Sequence, residues 1–348
     1  MSDMKISKIA CSKRRIICFL TMLATLFSTA QIHPGFVQPG AAAAPIVRTT
    51  LFPRLHAGQS FTYYVQYRTK KNVKTESRVV TPTGPQDAET DAQWLLRVDI
   101  LDVHPQGERA SIHARSRFQS VASAMAQNNS GSQQSASGSP AQNPEARPVD
   151  FTILPDGHVD AVTGLADLFP DQRLVWQVWL RQFGIAGVFP RDGVKPGQSW
   201  KSSEPEQAPS PIVRLEWEKQ ATYVRDEPCA AIQFSETGIV TSKTSQTESC
   251  AVVLTSAVLK QKSSPKDTTP GDFRLHDLHT TGNARGKNET ISYISLRSGL
   301  IVRVTEDAQQ FMDVVVAKTD ASNQIHYNVE ATGHTEVLLV ADAPVPKP

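Results

Sequence analysis

The sequence predicts a mainly β protein: an antiparallel, curved sheet or half-barrel, built as a divergent tandem of two β units with one short amphipathic helix. Three observations predict this fold. Apolar residues recur at every second position in many short segments, clusters of Gly, Pro, Ser and Asn separate most of these segments, and two pairs of turn motifs repeat in the same order. Period two is the spacing at which strand side chains share a face, and short turns are typical of antiparallel sheets.

The first thirty residues predict a secretory signal peptide. An apolar run at 16–30 ends in small residues and follows a basic head of Lys5, Lys8, Lys13, Arg14 and Arg15. This run is too short to span a bilayer core of ~30 Å comfortably. We therefore expect an exported protein, periplasmic or extracellular, with no stable membrane span after cleavage. Arg14-Arg15 also allows twin-arginine export, although the rest of that motif is absent.

Charge excludes one class of partner. The chain has 36 Lys and Arg against 34 Asp and Glu, for a net charge of +2. Without residues 1–30, 31 basic and 33 acidic residues remain. A near-neutral mature protein lacks the positive field that nucleic-acid binding needs, so we predict no nucleic-acid partner.

Composition divides the rest of the chain. Residues 31–49 are predicted to form a flexible lead-in and 342–348 a flexible tail, with a first β unit at 50–190 and a second at 191–341. The first unit contains a Ser/Gln/Asn/Ala-rich insertion at 122–148. This insertion cannot bury enough apolar surface to offset its ordering entropy, so it is predicted to be disordered.

Strand predictions follow the alternation. The pattern is clear in three places in the first unit: 61–67, 94–100 and 112–118. β-branched and aromatic residues at alternate positions favour a half-buried strand. Further strands are predicted at 211–217, 221–225, 230–235, 248–260, 273–280, 289–296, 300–306, 311–318, 324–331 and 335–340.

One segment is predicted to be helical, at 171–183, between Pro170 and Gly184. Such residues are common helix punctuation. Its apolar face comprises Val175, Trp176, Trp179, Leu180 and Phe183. These side chains could form the floor of a ligand site, but a helix that covers the open side of a sheet is the favoured interpretation.

Two turn motifs repeat. Gly58-Gln-Ser-Phe61 returns as Gly197-Gln-Ser-Trp200, and Phe151 to Gly157 is echoed by Tyr293 to Gly299. In the second pair, glycine with Asp or Ser favours a tight turn, whereas Gly-Gln-Ser-aromatic is expected to start a strand and to place its ring in the core. The two pairs predict a duplication, with coincidence between common turn sequences as the alternative.

The cysteines suggest a crosslink. Cys11 and Cys18 leave with the signal peptide, and no lipobox precedes either. Cys229 and Cys250 remain as an even pair in an oxidising compartment, so they are the disulfide candidates. Two separate buried thiols are the alternative.

The densest polar cluster is the segment 272–279, which contains His276 and His279. On a strand this odd spacing places the two rings on opposite faces, which disfavours a shared metal. Asp156-Gly157-His158 is interpreted as a turn, and Asn288-Glu289-Thr290 matches a glycosylation acceptor. The sequence names no catalytic residue, no cofactor-binding residue and no metal ligand, and predicts no cofactor.

Several turn elements carry a resemblance. The matching segments are Phe151 to Val159, Pro196 to Trp200 and Ser295 to Val302. In these elements the chain resembles a loose class of uncharacterised exported bacterial β-rich proteins, similar to periplasmic lipoprotein-carrier half-barrels. The resemblance implies a curved antiparallel sheet and brings no functional residues.

Two functions are therefore compared. The favoured one is an exported non-enzymatic envelope or secreted protein that binds an apolar ligand or a protein partner on its curved sheet. The alternative is an exported hydrolase of unrecognised type, since carboxylates assembled across strands cannot be recognised from spacing. A cleft in which His276 or His279 meets two acids would favour the hydrolase.

Overall fold

The computed structural model describes residues 48–77, 86–106, 109–119, 147–169, 172–177, 189–206, 210–235, 238–241, 248–318 and 323–341. All of them belong to one compact unit, Ile46–Pro348. The predicted signal peptide, the lead-in before residue 48, residues 122–146 of the predicted insertion at 122–148, and the tail at 342–348 lie outside the described residues.

The first part of the chain forms five strands. They are β1 (Ser60–Ser77), β2 (Gln86–Gln106), β3 (Arg109–Gln119), β4 (Val149–Ile153) and β5 (Val159–Thr163). The predicted alternation in β1 sends Phe61, Tyr63 and Val65 into the core, while Thr62 and Gln66 remain partly exposed. Alternate burial gives this sheet an inner face, which packs on the core, and an outer face, which meets solvent.

Eight strands follow. They are β6 (Ser199–Pro205), β7 (Leu215–Cys229), β8 (Ile232–Ser235), β9 (Gly238–Thr241), β10 (Glu248–Gln261), β11 (Leu278–Ser295), β12 (Ile301–Lys318) and β13 (Gln324–Val340). Several are longer than predicted. The predicted strands at 300–306 and 311–318 are one strand, as are those at 324–331 and 335–340.

The strands form one curved sheet that does not close into a barrel. An antiparallel path runs β5-β4-β3-β2-β1-β13-β12-β11-β10-β7-β6, and β8, paired with β9, touches β13 where Ile232 meets Val340. The predicted mainly β, antiparallel fold is confirmed. Strands of both predicted units share this sheet, joined through β13.

The repeated turn motifs have matching geometry. Gly58 and Gly197 both have φ of 82°, a left-handed conformation that glycine adopts without steric cost. The Gly58 amide donates to the Ile100 carbonyl oxygen at 2.8 Å, and the Gly197 amide donates to that of Tyr223 at 2.6 Å. A β-bulge follows directly in each receiving strand, β2 and β7. The parallel supports the predicted duplication, which stays a prediction.

A single apolar cluster fills the inner face of the first half and extends into the second. Part of this cluster comes from the segment 51–55, whose Arg54 amide donates to the Ser298 carbonyl oxygen at 2.7 Å. Gly299 is required there, because a Cβ at its position would collide with the Phe52 backbone. A smaller cluster around Trp217 lies at the far end of β7, β10, β11 and β12.

The predicted helix is confirmed where it is described: residues 172–177 are helical and form α1. Val175 and Trp176 are buried in the main cluster. The Trp176 indole nitrogen donates to the Ser116 hydroxyl on β3 at 2.7 Å, and its ring meets Phe151 of β4 edge-on. This part of the helix covers the sheet. Trp179, Leu180 and Phe183 lie outside the described residues.

The strand predicted at 273–280 is wrong in its first half. Residues Gly271–Leu275 form a short helix, α2, and β11 begins only at Leu278. Pro270 precedes α2, and Asp277, with φ of 56°, ends the connection that follows it. The alternating Phe273 and Leu275 bury neither side chain, so no core contact enforces the period of two here.

Candidate binding surface on the outer face

The inner face of the sheet is occupied by the protein itself. Aromatic side chains on β1 and β4, which could have lined a ligand cavity, pack instead against α1 and the segment 51–55. A buried polar band then separates the two apolar clusters in the second half. In this band Glu306 accepts hydrogen bonds from the Asn288 amide at 3.0 Å and the Thr290 hydroxyl at 3.3 Å.

The burial of Asn288 determines whether the glycosylation acceptor motif is accessible. Asn288 is only 2% exposed, and its side-chain nitrogen is the atom that donates to Glu306. A sugar on that nitrogen would have to displace the buried carboxylate. The acceptor motif is therefore inaccessible in the folded protein.

The outer face is charged, and most charged side chains on β1, β2 and β13 have partners. The pairs are Arg68 with Asp91, Lys70 with Glu89, Arg303 with Glu336, and His334 with Asp307. Most of these groups are well exposed, so each pair contributes little to stability. The three pairs formed by Arg68, Lys70 and Arg303 neutralise that part of the surface.

A groove runs across this face over β11, β12 and β13. Its larger compartment has a volume of about 490 Å³, and a neighbouring compartment of about 280 Å³ shares Lys287, Gln309 and Thr332 with it. The floor is β12, where Phe311 lies beneath the Arg285 guanidinium at 4.7 Å. The remaining lining residues are Val258, Gly286, Asn288, Glu289, Asp307, Ala308, Gln310, Glu330, Ala331 and Gly333.

Inside the groove the pattern of pairing changes. Arg285, Lys287 and Glu289 project from alternate positions of β11, and each is exposed. Within the described part of the chain, none of the three forms an ion pair. Glu289 stands directly opposite Asp307 on β12, a like-charged pair that destabilises the sheet locally. The groove thus holds three charged side chains that have no ion-pair partner among the described residues.

An aliphatic patch adjoins the groove. Leu254 on β10 and Ile291 on β11 are cross-strand neighbours, 46% and 42% exposed. Val258, which is 45% exposed, lines the groove and lies four residues from Leu254 on the same face of β10. Groove and patch therefore share the outer face of β10 and β11.

The polar segment 272–279 is a structural cluster. His276 is exposed at the end of α2, while His279 Nδ1 lies 3.0 Å from the Thr269 hydroxyl. That hydroxyl also donates to Asp267 at 2.8 Å and accepts from the Thr280 amide at 3.0 Å. The bonds from Thr269 lower the pKa of Asp267. His279 approaches one acid, Asp267, at 3.9 Å, and the described residues hold no group of three His, Cys, Asp or Glu side chains able to bind a metal.

Another histidine meets two acids. On the outer face, His326 of β13 lies between Asp313 of β12, at its Nε2, and Glu76 of β1, 3.7 Å from its Nδ1. The bond to Asp313 raises the pKa of His326. Both ring nitrogens face carboxylates, so the ring holds three strands together and offers no nitrogen to a substrate.

The remaining candidates are structural. Asp156 accepts a bond from the His158 amide at 3.0 Å, as the predicted turn requires. Cys229 on β7 and Cys250 on β10 form the predicted disulfide, with their Cα atoms 5.8 Å apart. No helix in the described ranges has the length and apolarity to cross a membrane.

The groove was not predicted from the sequence. Its signal is faint: Arg285, Lys287 and Glu289 alternate with small or polar residues on β11, and such alternation marks any solvated strand face. What distinguishes this stretch is that its charges have no ion-pair partners among the described residues, whereas most charges on nearby strands of the same face do. Register decides that pairing, and the sequence does not display it.

No protein-family model matches the chain, and no curated protein matches it. Among solved structures, one match is the crystal structure of a candidate lipoprotein from Parabacteroides distasonis. Its TM-score is 0.28 at 9% identity, with 84% of this chain and 98% of that chain covered. A likeness of this degree carries no argument about fold or function.

Proposed function

We propose that the chain is an exported, non-enzymatic protein that binds a segment of another envelope or secreted protein in the outer-face groove. One observation carries the proposal. The charges of Arg285, Lys287 and Glu289 are unpaired within the described residues, whereas most of those beside them on β13, β1 and β2 are paired. Charged groups that have no ion-pair partner and lie in a concavity are suited to a partner of complementary charge.

Export has its own support. The basic head and short apolar run at the start of the chain are the pattern of a signal peptide. The disulfide between Cys229 and Cys250 fits an oxidising compartment.

A protein partner fits this surface better than an apolar ligand does. Val258, Phe311, two alanines and the stems of the long side chains give the groove an apolar lining, and the charged ends of Arg285, Lys287 and Glu289 stand within it. A hydrocarbon would leave those charged ends without partners, whereas a protein segment can supply both apolar and charged groups. The hydrolase alternative gains nothing from the histidines. The Thr269 hydroxyl beside His279 is buried and already bonded to the backbone, and His326 is held between two carboxylates.

Site-specific photo-crosslinking in the native host tests the proposal. A benzoylphenylalanine is placed at Thr332, on the groove wall, and for comparison at Ser203, an exposed position of β6 outside the groove. Each photo-crosslinking variant is made in two further forms. One carries the groove reversals Arg285→Glu and Lys287→Glu together, and the other carries a matched pair of charge reversals outside the groove, Lys74→Glu and Lys201→Glu.

We expect a discrete protein adduct at position 332 that disappears with the groove reversals and survives the matched reversals. Adducts that form equally at 203, or that ignore the charge of residues 285 and 287, would overturn the proposal. Native mass spectrometry of host-purified protein tests the apolar-ligand alternative, because a retained lipid would appear as a mass increment.

A further inference from the structure

We infer that the groove selects an extended peptide segment with one acidic and one basic side chain two residues apart. This inference rests on the proposed function and adds the recognition chemistry of the partner. Its starting point is the order of charges along β11, where Arg285 and Lys287 are followed by Glu289 on the same face.

The cross-strand register gives the groove a positive end and a negative end. Lys287 stands opposite Gln309, so the positive charge at this level has no carboxylate across from it, whereas Glu289 stands opposite Asp307. His334 Nδ1 lies 2.8 Å from Asp307 Oδ1 and leaves Glu289 unpaired within the described residues. Glu330 lies two strands from Arg285, with Phe311 between them, and forms no ion pair with it among the described residues.

The spacing of these charges matches that of an extended chain. Residues two apart on a strand lie ~6.8 Å apart on one face, both in β11 and in a peptide laid along it. An acidic side chain near Lys287 therefore places the side chain two positions away near Glu289. A basic residue there would relieve the repulsion between Glu289 and Asp307.

The length of the groove favours the extended form. From Arg285 to Glu289 the groove runs four residues, ~14 Å, and its two compartments meet at Lys287. Side chains two residues apart share a face in an extended chain, whereas in a helix they point about 200° apart. Only the extended form therefore brings both side chains of such a pair to Lys287 and Glu289.

Two peptides of identical composition test the inference. Fluorescein-labelled Thr-Thr-Glu-Thr-Lys-Thr-Thr carries its charges two residues apart, and Thr-Thr-Glu-Lys-Thr-Thr-Thr carries them at adjacent positions, which point to opposite faces when extended. Binding is measured by fluorescence anisotropy with the processed full-length protein at low and high salt. Thr-Thr-Lys-Thr-Lys-Thr-Thr and the acidic polysaccharide alginate serve as additional probes.

We expect the peptide with charges two apart to bind at least fivefold more tightly than its isomer, and to weaken with salt. Arg285→Glu combined with Lys287→Glu, which removes both positive charges of the groove, should abolish that preference and shift it towards the di-lysine peptide, while the matched reversals Lys74→Glu and Lys201→Glu should change nothing. Such an exchange of preference requires a folded protein, so it cannot arise from unfolding.

Equal binding of the two isomers, or binding of alginate without the peptides, would overturn the inference. The proposed function is judged separately by the photo-adduct at position 332. An adduct together with equal peptide binding leaves the groove as a partner site and rejects the charge pattern, whereas loss of both rejects the two proposals together.

Discussion

Leu254 and Ile291 lie directly opposite each other on β10 and β11, with both side chains turned to the outer face and nearly half exposed. One residue from Leu254 along β10, Val253 points to the inner face and is buried in the core. Neighbouring residues of one strand thus belong to a surface patch and to the interior. The difference in burial predicts opposite responses to the same substitution.

Replacing Leu254 and Ile291 together by Thr should change the free energy of unfolding by no more than about 1 kcal/mol, because exposed apolar groups lose little burial. Val253→Thr places a hydroxyl in the core and should cost about 1–3 kcal/mol. Urea unfolding of the three proteins measures both values. A large loss in the double variant would show that the patch is covered in the free protein.

The attachment of α1 to the sheet depends on Trp176 and Ser116. Ser116→Ala removes the acceptor of a buried indole N–H and should cost about 1–3 kcal/mol. Trp176→Phe removes the donor as well as the larger ring, and combining it with Ser116→Ala should cost less than the sum of the single changes, since the same hydrogen bond is lost. A double-mutant cycle by urea denaturation measures this coupling, and strict additivity would contradict it.

The disulfide closes a loop of 21 residues between β7 and β10. By chain-entropy reasoning, Cys229→Ala with Cys250→Ala should lower the free energy of unfolding by about 3 kcal/mol. Wild-type protein in reducing buffer should shift by a similar amount, and the double variant should be insensitive to reductant. Two titratable thiols in oxidised, host-purified protein would refute the crosslink.

His326 predicts a pH dependence. The bond to Asp313 raises its pKa above the ordinary 6.5, so the folded state holds this proton more tightly than the unfolded state does. The resulting stability is fully present below pH 6.5 and is lost as pH rises through the folded pKa. Because the ring is over a third exposed, we expect at most about 1 kcal/mol.

The measurement compares the wild type with His326→Gln by urea unfolding across this range of pH. The stability difference should shrink from acidic to alkaline pH, and Asp313→Asn should reduce the slope because it removes the main cause of the raised pKa. A difference that grows with pH would have the wrong sign for this mechanism.

Sequence reasoning succeeded where one face of a strand is buried. Phe61, Tyr63 and Val65 occupy alternate positions because a one-residue slip would turn all of them to solvent. The sequence shows this constraint as a period of two. The α1 segment was recognised for a similar reason, since Val175 and Trp176 face the sheet. The motifs that begin at Gly58 and Gly197 were recognised as strand starts, and β1 and β6 begin at Ser60 and Ser199.

The strand predictions were wrong where burial does not impose a periodic pattern on the sequence. β12 runs unbroken through Asp307, Gln309 and Gln310, polar residues that resemble a turn, because β11 and β13 supply backbone partners on both sides. The segment 273–277 shows the opposite error. Its apolar residues alternate without burying anything, so the local helical turn of α2 after Pro270 is free to form.

The sequence by itself determined the strand-rich character, the export pattern, the turn motifs and the cysteines available for crosslinking, because each depends on residue type over a short stretch. Only the tertiary structure decided that the inner face is filled by the chain's own segments and that unpaired charges gather in a groove outside. Those features depend on which strands become neighbours and in which register. Cross-strand contacts join residues far apart along the chain, and local periodicity carries no information about them.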